Sequence, residues 1–395
     1  MADTAPSDLV VASARLVRAT PGAGVLSPGY VVVSGGRVAE AGPGLPPRPA
    51  DVELSRGVLV PGFVDLQVNG YYGEELATAG PAGWAAVASR LPETGTTAFL
   101  PTFITAPAGR LAAALRAAAT LLPGLPRGAR VLGVHAEGPF ISPLRTGAHN
   151  AAWITDPEPA AIDELLRAGS GVLRLVTLAP ERDGAIAAIT RLTEAKVLVS
   201  VGHTDATAAQ VAAAADAGAR MVTHLYNAQR PMHHREPGVP GQALTDPRLT
   251  SGLIADLRHV AAPMCLLAFA AAPGRICLVT DAAACAGMPP GRYLLGGQPV
   301  TLPDGDRAAP VRRDGTLAGS ALRMDAAVAN MVAAGVGLAD AVAAASRVPA
   351  DLIGRPDLGR IAPGAAADLV WLDDGLRAQA TWVDGDLVYP PDAAH

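Results

Sequence analysis

Lysine is almost missing from this chain. Lys196 is the only one in 395 residues, and the remaining positive charge is arginine. No basic tract occurs and the formal net charge is −5. The chain therefore lacks the electrostatic footprint of a protein that binds nucleic acid or an anionic membrane surface. Half of the residues are hydrophobic, yet no apolar run reaches the roughly 18 residues that cross a bilayer. The opening stretch MADTAPSDLVVASARLVRAT has no basic region leading into an apolar core, so no signal peptide is expected. The three cysteines, Cys265, Cys277 and Cys285, are an odd number without paired spacing. Reduced thiols and a cytoplasmic protein are the expectation. There is no internal repeat and no low-complexity tract beyond an alanine bias.

What is present divides into two textures. Residues 1–58 read as short strands broken by turns, with Gly35-Gly36 as a hairpin signal. Residues 356–395 read the same way, with Asp384-Gly385 as another hairpin turn. One small β-sandwich domain built from both termini is expected. The middle, residues 59–355, alternates eight strand-like runs with Ala-rich stretches of helical spacing, as in 183–195 and 205–218. The runs are GVLVPGFVDL, TTAFLPTF, VLGVHAEG, VLRLVTLAP, KVLVSVGH, RMVTHLYN, SGLIAD and RICLVTDA. Eight strands, each followed by a helix, predict an α/β fold of the (β/α)8 TIM-barrel kind.

In such a barrel the chemistry sits where the strands end. The third run presents His135 and Glu137 on one face and is stopped by Gly138-Pro139. A loop with Arg145, His149 and Asn150 follows. His203 ends the fifth run, His224 and Asn227 the sixth, and Asp281 the eighth. Of eight histidines, only His395 lies away from these loops. A lone buried histidine is more often a satisfied core residue, but so many on one face are hard to explain by packing.

Glu137, His203 and His224 supply a carboxylate and two imidazoles. That set suits one divalent ion, Zn²⁺ first and Fe²⁺ or Mn²⁺ next, with an open position of the catalytic kind. The bland alternative is a hydrogen-bonded polar cluster that closes the barrel. Asp281 follows an apolar strand into a partly dry site, the setting of a general base. Gln67 and Asn69 end the first run where a two-metal site would carry His-x-His, and Lys196 begins the fifth strand, at the wrong end to bridge two metals. Both favour a single ion. Arg235, in the Gly/Pro-rich loop HHREPGVPG, and His259, in DLRHVAAP, are candidates for holding an anion.

With these residues assembled, the chain resembles the N-acetylglucosamine-6-phosphate deacetylase family of the amidohydrolase superfamily. HAEGPF (135–140), GAHN (147–150), VGHTDA (201–206), THLYNA (223–228), REPGVPG (235–241), LVTDA (278–282) and GTLAGS (315–320) carry the resemblance. The resemblance implies a zinc-dependent hydrolase of a small amino sugar phosphate, with Glu137, His203 and His224 as metal ligands and Asp281 as catalytic aspartate. It also implies that His149 polarises the acetamide carbonyl, that Asn227 and the backbone of Ala228 hold the phosphate, and that His259 touches the substrate. Arg235 would complete the neighbouring active site of a homodimer.

Some positions depart from the family's usage: Tyr71 and Tyr72 after the first strand, Leu257 and Arg258 before His259, Phe103, Ala283 and Cys285. The two tyrosines are expected to reshape the pocket, which leaves open a galacto epimer or an unphosphorylated amino sugar as substrate. A non-catalytic barrel used as a scaffold is the alternative from another class.

Overall fold

A computed structural model describes residues 8–305 and 307–390; His395 lies outside them. The barrel strands, in chain order, are β1 (Phe63–Val68), β2 (Thr96–Ile104), β3 (Val134–Glu137), β4 (Leu173–Leu178), β5 (Leu198–Val201), β6 (Met221–Val222), β7 (Thr250–Ile254) and β8 (Ile276–Val279). Each pairs in parallel with the next, from β1 to β8. The ring closes through the Asp281 N–H to the Gln67 carbonyl (2.9 Å) and the Asn69 N–H to the Ala282 carbonyl (2.8 Å). Every residue of β1 and β2 is buried, as expected of strands covered on both faces.

The helices form where the sequence spacing places them. α1 (Pro159–Ala168) starts on Pro159, where the missing N–H costs nothing. α2 (Ala185–Glu194) and α3 (Ala208–Asp216) fall within the two stretches read as helical. α3 starts at a capping box, in which the Thr207 hydroxyl and the Gln210 side chain satisfy each other's backbone N–H groups.

One run divides differently from the sequence reading. GVLVPGFVDL is two strands. Val58–Pro61 leaves the barrel and pairs antiparallel with Leu369–Leu372 and parallel with Leu16; only Phe63–Val68 joins the barrel. The break falls at Gly62, where a Cβ would stand 2.1 Å from the Thr97 hydroxyl oxygen. Two sheets, of four and six strands, collect the terminal segments. They share a core that includes Val11, Val31, Leu59, Leu369 and Trp382. Their hairpins turn at Gly35-Gly36 and Asp384-Gly385, all four residues at positive φ, as the sequence suggested. Arg130, just before β3, ties the barrel to this unit through the buried Asp368 (3.0 Å).

All three cysteines are buried and unpaired. No helix among the described residues is long and apolar enough to cross a membrane.

Candidate active site at the strand ends

Glu137, His203, His224 and Asp281 converge at the carboxyl end of the barrel, each less than a tenth exposed. The last three have φ values of +48°, +27° and +50°, in the left-handed region that costs a non-glycine residue about 1–3 kcal/mol. Neighbouring backbone holds them there. The His203 carbonyl accepts from the Ser142 N–H (2.8 Å), and the Asp281 carbonyl from the Ser320 N–H (2.7 Å).

Glu137 Oε1 lies 3.2 Å from His203 Nε2 and 3.1 Å from His224 Nε2. The two imidazole nitrogens are themselves 3.1 Å apart. His203 Nδ1 donates to the Arg145 carbonyl at 2.9 Å, so a neutral His203 presents a lone pair at Nε2. Imidazole nitrogens and a carboxylate gathered this closely repel unless a shared proton or a metal cation lies between them. The spacing fits ligands at about 2.0–2.1 Å around one tetrahedral centre. The residues present therefore fit a divalent metal. Burial opposes ionisation of Glu137, but the His203 and His224 imidazoles hold its carboxyl well below the usual carboxylate range.

His149 also comes near, with Glu137, His149 and His203 offering ligand atoms within 4.8 Å of one another. Its tautomer sets it apart. The Thr105 backbone N–H donates to His149 Nδ1 (3.2 Å), so the proton of the neutral ring sits on Nε2. Burial, with His203 adding to it, pushes the His149 pKa well below its ordinary value and keeps the ring neutral. In that tautomer Nε2–H is a hydrogen-bond donor within the site, 3.9 Å from Glu137 Oε2.

Asp281 Oδ1 accepts from the amides of Gln67 (3.1 Å) and Asn69 (2.7 Å). Gln67 also donates to Glu137 Oε1 (3.0 Å). These two amides, read from the sequence only as poor ligands, hold the carboxylates in place. Oδ2 has no hydrogen-bond partner among the described residues. Burial, and after it the charge of Glu137, raises Asp281 to about 6, within the range of a general base.

These residues line a cavity of about 440 Å³ with Asn227, Ala228, His259, Arg145 and Arg312. His259 donates through Nδ1 to Asp256 Oδ2 (2.7 Å), which leaves Nε2 for a ligand. A larger cavity of about 740 Å³ lies at the terminal sheets. Two of its arginines are paired internally, Arg127 with Asp386 and Arg130 with Asp368 and Asp384, and Arg37 donates to the Gly364 carbonyl (2.8 Å).

Several sequence expectations change. His135 is a satisfied core residue, bonded to Thr177 (2.8 Å) and Thr102 (3.3 Å). Tyr71 and Tyr72 do not line the cavity. The first is buried with its hydroxyl on the Leu322 carbonyl (3.0 Å). The second packs under Arg90, 3.7 Å from ring centroid to guanidinium carbon. Phe103 packs edge-on against Trp84 at 6.3 Å, and Arg258 is exposed. Arg235 is exposed on the 231–237 loop, bonded to His234 (2.9 Å), and does not reach the cavity of its own chain. Lys196 is exposed before β5, as expected.

The sequence reading missed Thr105, which sets the His149 tautomer, and Arg312. Nothing in the spacing of GTLAGS points at the arginine just upstream.

A sequence model of the amidohydrolase family matches residues 58–388. The N-acetylgalactosamine-6-phosphate deacetylase of Escherichia coli O157:H7 is 41% identical over 345 residues, covering 86% of this chain and 90% of its own. The human N-acetylglucosamine-6-phosphate deacetylase is 40% identical over 353 residues, covering 85% of each. Among solved structures, a mutant N-acetyl-D-glucosamine-6-phosphate deacetylase of Mycobacterium smegmatis, in complex with N-acetyl-D-glucosamine-6-phosphate, superposes with a TM-score of 0.91. It is 36% identical, covering 97% of this chain and 99% of that one.

Proposed function

Because the chain belongs to the amidohydrolase family, we propose that it removes the N-acetyl group from N-acetylglucosamine 6-phosphate, giving acetate and glucosamine 6-phosphate. The observation that carries this is the buried Glu137–His203–His224 cluster flanked by a polarised carboxylate and an imidazole donor. The substrate class comes from relatives that bear that activity in their names over most of both chains. The same intact set leaves the non-catalytic scaffold without support.

Glu137, His203 and His224 would hold one divalent ion, with zinc the first choice for a site of one carboxylate and two imidazoles. When bound, it supplies Lewis acidity and makes water a nucleophile near neutral pH. Asp281 Oδ2 takes the proton from the attacking water and delivers it to the amide nitrogen as the C–N bond breaks. His149 Nε2–H donates to the carbonyl oxygen, where negative charge develops. Gln67 and Asn69 keep Asp281 oriented throughout. Asn227, Ala228 and His259 hold the sugar phosphate, so binding energy remote from the amide fixes it for attack.

Arg235 acts on the phosphate of a neighbouring subunit in a homodimer. Its position on an exposed loop, beside Met232 with 45% exposure, is what a residue lent to a partner requires. Arg235→Ala is expected to raise KM for the phosphorylated sugar on the order of tenfold or more, the scale of a lost charge-assisted contact. Steady-state kinetics checks this, and equal losses on phosphorylated and free sugars remove Arg235 from the phosphate. The unpaired cysteines support action in the cytoplasm, where thiols stay reduced.

The galacto epimer is the second reading, favoured by the 41% identity to the E. coli enzyme named for it. Acetate release from the two epimeric 6-phosphates, compared by kcat/KM, decides between them. Release from neither contradicts the proposal.

A further inference from the structure

Between β8 and the helix Met324–Ala334 the chain inserts a hairpin, Gly291–Leu295 with Gln298–Leu302. Antiparallel bridges from Thr301 to Val311 and from Val311 to Leu317 extend it into a small flap. The flap has its own buried core, with Leu295, Val300 and Leu302 packed on Ile104, Ala283 and Cys285. It is a built element, and it brings Arg312 to the cavity wall.

Arg312 Nη1 donates to the Gly147 carbonyl at 2.9 Å. Gly147 is wedged beside the site: at φ +53°, a Cβ there would stand 3.0 Å from His203 Cε1 and 3.9 Å from Ala228 Cβ. The guanidinium thus grips the segment that passes between the histidine cluster and Ala228, at the end of the cavity assigned to the phosphate.

The other cations of the wall are committed. Arg145 gives Nε and Nη2 to Asp205 Oδ1 (2.9 and 2.7 Å), and His259 faces Asp256 at 2.7 Å. Arg312 spends one donor on a neutral carbonyl. Its Nη2 is 3.9 Å from Asp314 Oδ2, beyond hydrogen-bond range. With a side chain 29% exposed, it is partly desolvated but reachable. A dianion entering this cavity meets the Arg312 guanidinium, whose Nε and Nη2 make no hydrogen bond among the described residues although Asp314 stands nearby, an edge that suits bidentate phosphate contact.

We propose that Arg312 binds the substrate's phosphate in cis, from the flap, and sets the preference for phosphorylated over free sugars. This rests on the deacetylase reading above. A purely structural role, latching the flap to the loop that carries His149, would impair both kinds of sugar alike. The test is therefore a ratio: kcat/KM for N-acetylglucosamine 6-phosphate over that for N-acetylglucosamine, in the zinc-loaded protein. In Arg312→Gln, which removes the charge but keeps a polar amide, the ratio is expected to fall at least about tenfold, as for one lost charge-assisted contact. Arg312→Lys, which keeps the charge but not the fork, should fall in between. An unchanged ratio in Arg312→Gln overturns the proposal.

Calorimetric binding of glucosamine 6-phosphate supplies a readout that does not depend on turnover. Affinity at least tenfold weaker in Arg312→Gln than in wild type supports the assignment, even if wild type releases no acetate. Equal affinities, or no binding by wild type, overturn it. Failure of the deacetylase reading instead shows as absent acetate release in wild type.

Discussion

Asp281→Asn is expected to lower kcat at least about 100-fold, within the usual contribution of a general base, while the protein keeps its metal. The carboxylate lines the same cavity as Glu137, His203 and His224 yet stands outside the proposed ligand set. Its Oδ1 is taken by Gln67 and Asn69, so asparagine loses the basic Oδ2 without losing its anchor. KM should change little, because no phosphate contact is touched. Steady-state kinetics together with metal content on one preparation gives the answer. Unchanged turnover in a metal-replete variant removes Asp281 from the proton path. Loss of metal in step with activity makes it a ligand instead.

Glu137→Gln is expected to abolish stoichiometric metal binding and activity together. Its Oε1 is the common neighbour of both imidazoles, at 3.2 and 3.1 Å, and carries the only negative charge in the ligand set. Metal affinity should drop by more than the 10–100-fold typical of losing an outer-shell partner. A second readout uses stability. A ligand at 1,000 times its Kd stabilises the fold by about 4 kcal/mol, so a chelator should lower the Tm of wild type and leave Glu137→Gln nearly unmoved. A variant that retains one metal per chain through dialysis contradicts the ligand assignment.

The barrel was legible because parallel strands covered on both faces are continuous apolar runs, and the first, third, fifth, sixth and eighth runs lead directly into polar side chains. Glu137, His203, His224 and Asp281 could be read from that alone. What the pattern leaves open is which sheet an apolar run joins. GVLVPGFVDL is uniformly buried on both sides of Gly62, so its hydrophobicity is silent about the crossing from terminal sheet to barrel. Side-chain direction beyond a strand end is equally silent. Tyr71 and Tyr72 follow β1 but turn away from the cavity, because Gly70–Tyr71 bends to pair with Glu74–Glu75.

His149 and His135 show the other limit. Both are buried imidazoles near Glu137, and only their hydrogen-bond partners separate a donor from a packed core residue. Those partners, Thr105, Thr102 and Thr177, come from β2, the loop after it, and β4, far from either histidine in sequence. Arg312 was hidden for a related reason. It belongs to a flap interrupting the strand–helix alternation, and a period-based reading treats such an insertion as loop.

The central claim is that this site hydrolyses the acetamide of a 6-phosphorylated amino sugar. Its most direct test is acetate release by the zinc-loaded protein from N-acetylglucosamine 6-phosphate, with unphosphorylated N-acetylglucosamine beside it. The account predicts release from the phosphate with a strong preference over the free sugar. Release from neither, by protein holding one metal per chain, would contradict it.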